Sequence, residues 1–380
     1  MSRSILVATW DGAGNLPPER AIVRALVARG HTVRVLAHES VRRTIERDGA
    51  EFLPVQGARH YDSLEAMAPA EEMPFVLEHI WFAKAFGTEL AATVERLRPD
   101  VLLVDMCLAY ALAAARAARL PTAVLGHFPY HLLLGPFAPV VAPWMGGLNA
   151  YAGELGLASF PSLPALIESH GSVLIPTYRA FDEVEQVAPN VVHVGPLRSR
   201  GNGSVWARRM PGRPFVVVGL STSNQNQSPL LQRLCDALGG LDVEALVTTG
   251  PAIAPESLRA ADNTTVAQFV SHDEVLPSAD LLITHAGHGT VMAGVTYGVP
   301  MLCFPMGRDQ PLIADRVARL GLGSVLGPDA APEDVRRTVT AMLADPAVTA
   351  RARDFARSVA GHPGLELVVR SIEGLPSSPR

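Results

Sequence analysis

Cysteine is scarce in this 380-residue chain: Cys107, Cys235 and Cys303 stand far apart, each in or beside an apolar segment. That spacing excludes a disulfide framework and a CxxC metal site, and the three read as reduced packing residues. No apolar run reaches the roughly 18 to 20 residues that a membrane helix needs. The opening MSRSILVATWDG breaks at Asp11, too early for the apolar region of a signal peptide. A cytoplasmic protein without a membrane span is therefore expected. A basic block is missing too. The formal net charge is −5 and the arginines scatter along helical faces, which leaves neither nucleic acid nor an anionic membrane as a partner. Small-molecule chemistry remains.

What is present is a repeated pattern of short apolar runs, each followed by an amphipathic stretch. Ser4–Ala8, Thr32–Ala37, Val101–Val104 and Thr122–Leu125 form one set, and Phe215–Gly219, Ala245–Thr249, Leu281–Thr284 and Met301–Phe304 a second. Fully apolar strands separated by helices indicate parallel strands covered on both faces, a doubly wound α/β pattern. Between the sets, Gly, Pro and basic residues without periodicity mark a linker. The expected division is an α/β domain over 1–198, a linker over 199–212, a second α/β domain over 213–362 and a tail over 363–380. Ligands are expected in loops beyond the carboxyl ends of the strands.

The most informative segment runs from Gln268 to Gln310 and contains LLITHAGHGT and GVPMLCFPMGRDQ. A strand ends at His285, the glycines Gly287 and Gly289 permit close backbone approach, and Thr290 is read as opening and capping a helix. That helix start offers N–H donors and a partial positive charge suited to a diphosphate. His285 and His288 add donors. A strand-to-helix turn of this composition also occurs where no anion binds. A zinc reading of the two histidines lacks a third ligand.

This segment resembles the donor-binding signature of the GT-B glycosyltransferases, two facing Rossmann-like domains, and within them the family that includes plant secondary-metabolite and bacterial antibiotic glycosyltransferases. The resemblance extends over both domains. It implies that Phe269 stacks on the nucleobase, that His285, Gly289 and Thr290 meet the diphosphate, and that Asp309 and Gln310 hold the sugar. His272 stands where many UDP-sugar members carry Gln. Ala293 stands where they carry a ribose-binding Glu, which leans toward a TDP-sugar donor. Ser221, Thr222 and Thr249, in polar loops after strands, are further donor-side candidates.

The N-terminal turn fails as a GxGxxG dinucleotide site, because Pro17 replaces the third glycine. It resembles instead the family's N-terminal motif, in which a general-base His precedes a proline by three. Here that residue is Asn15, three before Pro18, and an amide cannot take a proton at neutral pH. Asp105 occupies the place of the carboxylate that supports the missing His. Asp105 is thus the first candidate base, Asp11 the second, and Asn15 an acceptor-positioning group. His127 is a packed or acceptor-contacting residue, with the role of base as a fallback.

Inverting displacement without a metal is what the fold implies, and no Asp-x-Asp metal motif is present. No cofactor is expected beyond the nucleotide sugar as co-substrate. The stretch from His127 to Pro164 reads as a long irregular apolar segment that builds a pocket for a polycyclic or macrocyclic aglycone, with His127, Phe128, Tyr130 and Trp144 as contacts. Homodimerisation stays open, as does a catalytically silent homologue acting as a binding partner or activator. An epimerase or hydrolase of the same fold is disfavoured, since it has no use for a large apolar pocket.

Overall fold

The computed structural model describes residues 2–65, 67–197 and 204–376. It contains two parallel sheets. The first is built from β1 (Ser4–Ala8), β2 (Thr32–Ala37), β3 (Glu51–Pro54), β4 (Val101–Asp105), β5 (Thr122–Leu125), β6 (Ser172–Ile175) and β7 (Val191–His193), in the order β3-β2-β1-β4-β5-β6-β7. The second comprises β8 (Phe215–Gly219), β9 (Glu244–Thr248), β10 (Thr264–Ala267), β11 (Leu281–Thr284), β12 (Met301–Cys303) and β13 (Gly323–Val325), ordered β10-β9-β8-β11-β12-β13. The central strands are buried along their whole length, β4 and β8 being examples, as crossover helices on both faces require.

Both sheets reverse direction of winding at one place, between β1 and β4 and between β8 and β11. Loops leaving these strands at their carboxyl ends diverge there and leave a crevice suited to a ligand. The first carries Asp11, Asn15 and Asp105, and the second Ser221, Thr222, His285 and the helix His288–Tyr297.

Chain contacts divide the molecule into two units, one of Met1–Asp62, Ala70–Ser199 and His362–Arg380, the other of Ser63–Pro69 and Arg200–Gly361. Two expectations change. The stretch after 363 is not a loose tail: the helix Leu365–Glu373 sinks Val368, Val369 and Ile372 into the first unit's core beside Ile5, Leu26 and Leu103. Val368, Val369 and Ile372 recur at helical spacing, and an apolar face so formed has to be covered. Of the expected linker 199–212, residues 199–203 lie outside the described residues. The remainder is docked on the second unit, where the backbone N–H groups of Arg209 and Met210 donate to the Glu244 carboxylate at 2.8 and 3.0 Å. Ser63 also joins that unit, its carbonyl accepting from Asn224 N–H at 2.8 Å.

The expected irregular stretch 127–164 is largely helical, with Tyr130–Leu134, Ala138–Val141 and Met145–Glu154 in succession. Glycine and proline break it into short pieces without preventing helix formation. A cavity of about 350 Å³ opens among its side chains, lined by Leu134, Val141, Met145, Leu163 and Glu168. Among the described residues no helix is long and apolar enough to cross a membrane. Cys107, Cys235 and Cys303 are all free and buried.

Candidate active site

In the first unit, three strand ends bring Asn15, Asp105 and His127 together. Asp105 closes β4, and the parallel register pairs it with Leu125 of β5, so His127, two residues further on, arrives beside it. His127 Nε2 lies 2.8 Å from Asp105 Oδ2, a close contact out of line for a regular ring N–H hydrogen bond. The same Oδ2 accepts from Asn15 Nδ2 at 3.2 Å, and Oδ1 accepts from the Cys107 N–H at 2.8 Å. Asp105 is 1% exposed. Burying a carboxylate is costly unless such partners satisfy its oxygens.

A fourth group, Glu19, was not visible as a site residue from motifs. It sits 3.8 Å from His127 Nε2, and the Thr9 hydroxyl donates to its Oε2. Burial, reinforced by the charge of Asp105, raises its pKa well above the ordinary value and favours the neutral acid. A signal existed: Glu19 falls on the stripe Glu19, Ile22, Val23, Leu26 that the helix Leu16–Ala28 buries, and a carboxylate on an apolar stripe demands a reason.

Asn15 is not turned to an incoming acceptor. Its Nδ2 donates to the Trp10 carbonyl at 3.1 Å as well as to Asp105, while its Oδ1 accepts from Gly12 N–H at 2.9 Å. The amide pins the turn after β1. Gly12 is needed there, since a Cβ would come within 2.6 Å of the Trp10 ring. Asp11 does not join the group; its carboxylate accepts from Ser40 Oγ at 2.9 Å.

The acceptor candidates divide. Phe128 stacks on Trp81 at 6.1 Å and meets Phe137 edge-on at 5.2 Å, and half-buried Trp144 stacks on Phe82 at 5.7 Å. Tyr130 does not belong with them: it is fully buried and its hydroxyl donates to Glu168 at 2.7 Å. The ring is core, and burial together with that carboxylate pushes its phenol pKa upward.

In the second unit, His285 follows β11 and is buried. Burial, the nearby Arg308 and His272 depress its pKa to about 3 while the Gly219 backbone opposes them, so the ring is neutral near pH 7. Its Nδ1 is buried without a hydrogen-bond partner among the described residues. The helix begins at His288 with Gly287 as its N-cap, so Thr290 lies in the first turn and is not the cap. Gly287 is dictated by space, because a Cβ would fall 2.4 Å from His285 Nε2, whereas nothing lies within 4 Å of a Cβ at Gly289. His288, Gly289 and Thr290 precede the first intrahelical bond, from Val291 N–H to the Gly287 carbonyl.

Phe269 is 75% exposed, an unusual placement for a large apolar ring and one suited to stacking. Asp309 occupies the N-cap position of the helix Gln310–Arg319 without a side-chain capping bond, and burial lifts its carboxyl pKa to about 6. Gln310 is buried, with Oε1 accepting from Met306 N–H at 2.8 Å and Nε2 2.9 Å from the Gln225 side chain. The hydroxyls of Ser221 and Thr249 are engaged within their own loops, with Ser223 Oγ at 2.9 Å and the Ile253 carbonyl at 2.7 Å, while Thr222 is exposed.

Residues 232–375 match the family described as erythromycin biosynthesis protein CIII-like, C-terminal domain. The chain is 26% identical to 4'-demethylrebeccamycin synthase of Lentzea aerocolonigenes, over 99% of this chain and 100% of that protein. It is 29% identical to demethyllactenocin mycarosyltransferase of Streptomyces fradiae, over 83% of this chain and 74% of the relative. The crystal structure of the glycotransferase of kitacinnamycin superposes with a TM-score of 0.83 at 25% identity, covering 99% of this chain and 100% of that one. Full-length similarity to named glycosyltransferases, on two parallel α/β sheets with polar groups gathered at both winding reversals, gives this chain the GT-B glycosyltransferase fold and makes it similar to the natural-product glycosyltransferases.

Proposed function

We propose that the chain transfers a sugar from a nucleoside diphosphate, TDP in preference to UDP, to an apolar natural-product aglycone, by one inverting displacement without a metal. The observation that carries this reading is the start of the helix His288–Tyr297, with the unpartnered Nδ1 of neutral His285 beside it. The helix N-terminus supplies N–H donors and partial positive charge, and an imidazole N–H adds another donor as the leaving diphosphate gains charge. Phe269 takes the base, and Asp309 the sugar hydroxyls, with Gln310 holding the adjoining loop. The preference for TDP rests on Ala293, buried inside that helix, where a carboxylate for ribose hydroxyls is lacking. Stacked aromatics around Phe128 and Trp144 favour an apolar acceptor. Three free, buried thiols fit a reducing cytoplasm.

The test is transfer from TDP-glucose and UDP-glucose to a panel of polycyclic acceptors with excess EDTA, followed by mass spectrometry. We expect a glycosylated product, more from the TDP donor, at a rate unchanged by the chelator. Activity that vanishes with EDTA and returns with magnesium or manganese contradicts the metal-independent mechanism.

A further inference from the structure

The position at which a base is expected from sequence holds an amide that is already consumed by the fold, so proton removal needs another group. Asp105 is ill placed to accept it: the carboxylate is buried and its two oxygens serve the Cys107 N–H, Asn15 Nδ2 and His127 Nε2. His127 has the opposite character. Its side chain is 9% exposed, Nε2 lies 2.8 Å from the Asp105 carboxylate without the alignment of a ring N–H hydrogen bond, and Nδ1 is buried with no hydrogen-bond partner among the described residues. A nitrogen left unpaired in such surroundings costs free energy unless something occupies it.

Resting on the glycosyl-transfer reading above, we infer that His127 is the catalytic base for the acceptor hydroxyl, with Asp105 and Glu19 as positioning residues. Nδ1 takes the hydroxyl proton as the acceptor oxygen bonds to the anomeric carbon. The bond from that carbon to the diphosphate oxygen breaks, and its electron pair leaves with the nucleoside diphosphate. The imidazolium so formed faces the Asp105 carboxylate through Nε2 and afterwards loses its proton to solvent. Glu19 lies 3.8 Å from Nε2, and ligand atoms of Glu19, Asp105 and His127 all lie within 4.8 Å of one another. Nucleophile, base and orienting carboxylate thus take the arrangement general-base catalysis requires, but the imidazole comes from the end of β5 and not from the turn after β1.

The test compares His127→Ala, His127→Gln and Asp105→Asn with the unaltered protein, using TDP-glucose as donor. Testosterone serves as an aliphatic alcohol and umbelliferone as an acidic phenol. We expect His127→Ala and His127→Gln to lower kcat toward testosterone by roughly 100-fold or more with KM little changed, and to lower it much less toward umbelliferone, which ionises by itself. Added imidazole restores part of the His127→Ala activity, and Asp105→Asn displaces the acidic limb of the pH–rate profile. Retention of kcat within about three-fold in both His127 variants overturns the assignment, as does an equal loss toward both acceptors that imidazole does not relieve. The melting shift produced by TDP is measured on every variant. Its persistence shows that fold and donor site are intact, and its absence in the unaltered protein strikes the glycosyl-transfer reading itself.

Discussion

At the scale of single residues, Asp309 carries a pH signature of its own. Burial lifts its carboxyl to about pH 6, so the group is an anion at pH 7.5 and mostly neutral at pH 5.5. In its proposed role toward the sugar hydroxyls, the anion accepts stronger hydrogen bonds than the neutral acid, a full difference on the order of 1 kcal/mol or about five-fold in affinity. Calorimetric titration should therefore show TDP-glucose binding weakening about two- to three-fold between those two pH values, while free TDP is spared that loss and Asp309→Asn abolishes the difference. The candidates that sequence alone singled out lie where strands give way to loops and helices: Asp105 closes β4, His285 directly follows β11, and Asp309 precedes the helix Gln310–Arg319. Tyr130 misled because an aromatic in an apolar stretch looks the same whether it lines a pocket or fills a core. Only its partner Glu168, thirty-eight residues away, decides the matter. The pairing of His127 with Asp105 was hidden for a similar reason, since it follows from the register of two strands and not from spacing along the chain.

Among the elements, the helix Tyr130–Leu134 and β7 are joined by one carboxylate. Asp182 accepts from His131 Nδ1 at 2.7 Å, His193 Nε2 at 2.8 Å and the Tyr130 N–H at 2.7 Å. Burial raises its pKa, but the hydrogen bonds from His131 and His193 and from the backbone outweigh burial and hold it far below the ordinary value. A depressed folded pKa means stability that is present in full above the unfolded value of about 3.9 and is lost as pH falls toward the folded one. Asp182→Ala leaves the two imidazoles without their shared acceptor and should cost about 3 kcal/mol in urea unfolding at pH 7. The cost should shrink below pH 3.5, where the unaltered protein loses the same contribution; a pH-independent difference would contradict the account. Strand legibility also followed from position. The central strands announced themselves as apolar runs, whereas the edge strands β3, β7, β10 and β13 escaped notice because half-exposed edges carry residues such as Glu51, His193 and Thr265.

For the whole molecule, one winding scheme occurs twice, and each copy places its polar groups where the winding reverses. Alternation of apolar runs and amphipathic stretches was enough to show two doubly wound sheets, because that pattern is the physical requirement of parallel pairing. It could not show that the last helix returns to the first unit, since burial of Val368 and Ile372 is settled by tertiary packing and not by local pattern. The central claim is that the second unit binds a nucleoside diphosphate through the helix at His288 and the neutral imidazole of His285. The most direct measurement is thermal unfolding of the whole chain with TDP, UDP or GDP, without metal. A ligand at 100 times its Kd adds about 2.7 kcal/mol to the stability of the state it binds. We predict that TDP raises the melting temperature most, with UDP behind it and GDP weakest, and that the shift persists in excess EDTA. No shift from any of the three would contradict the account.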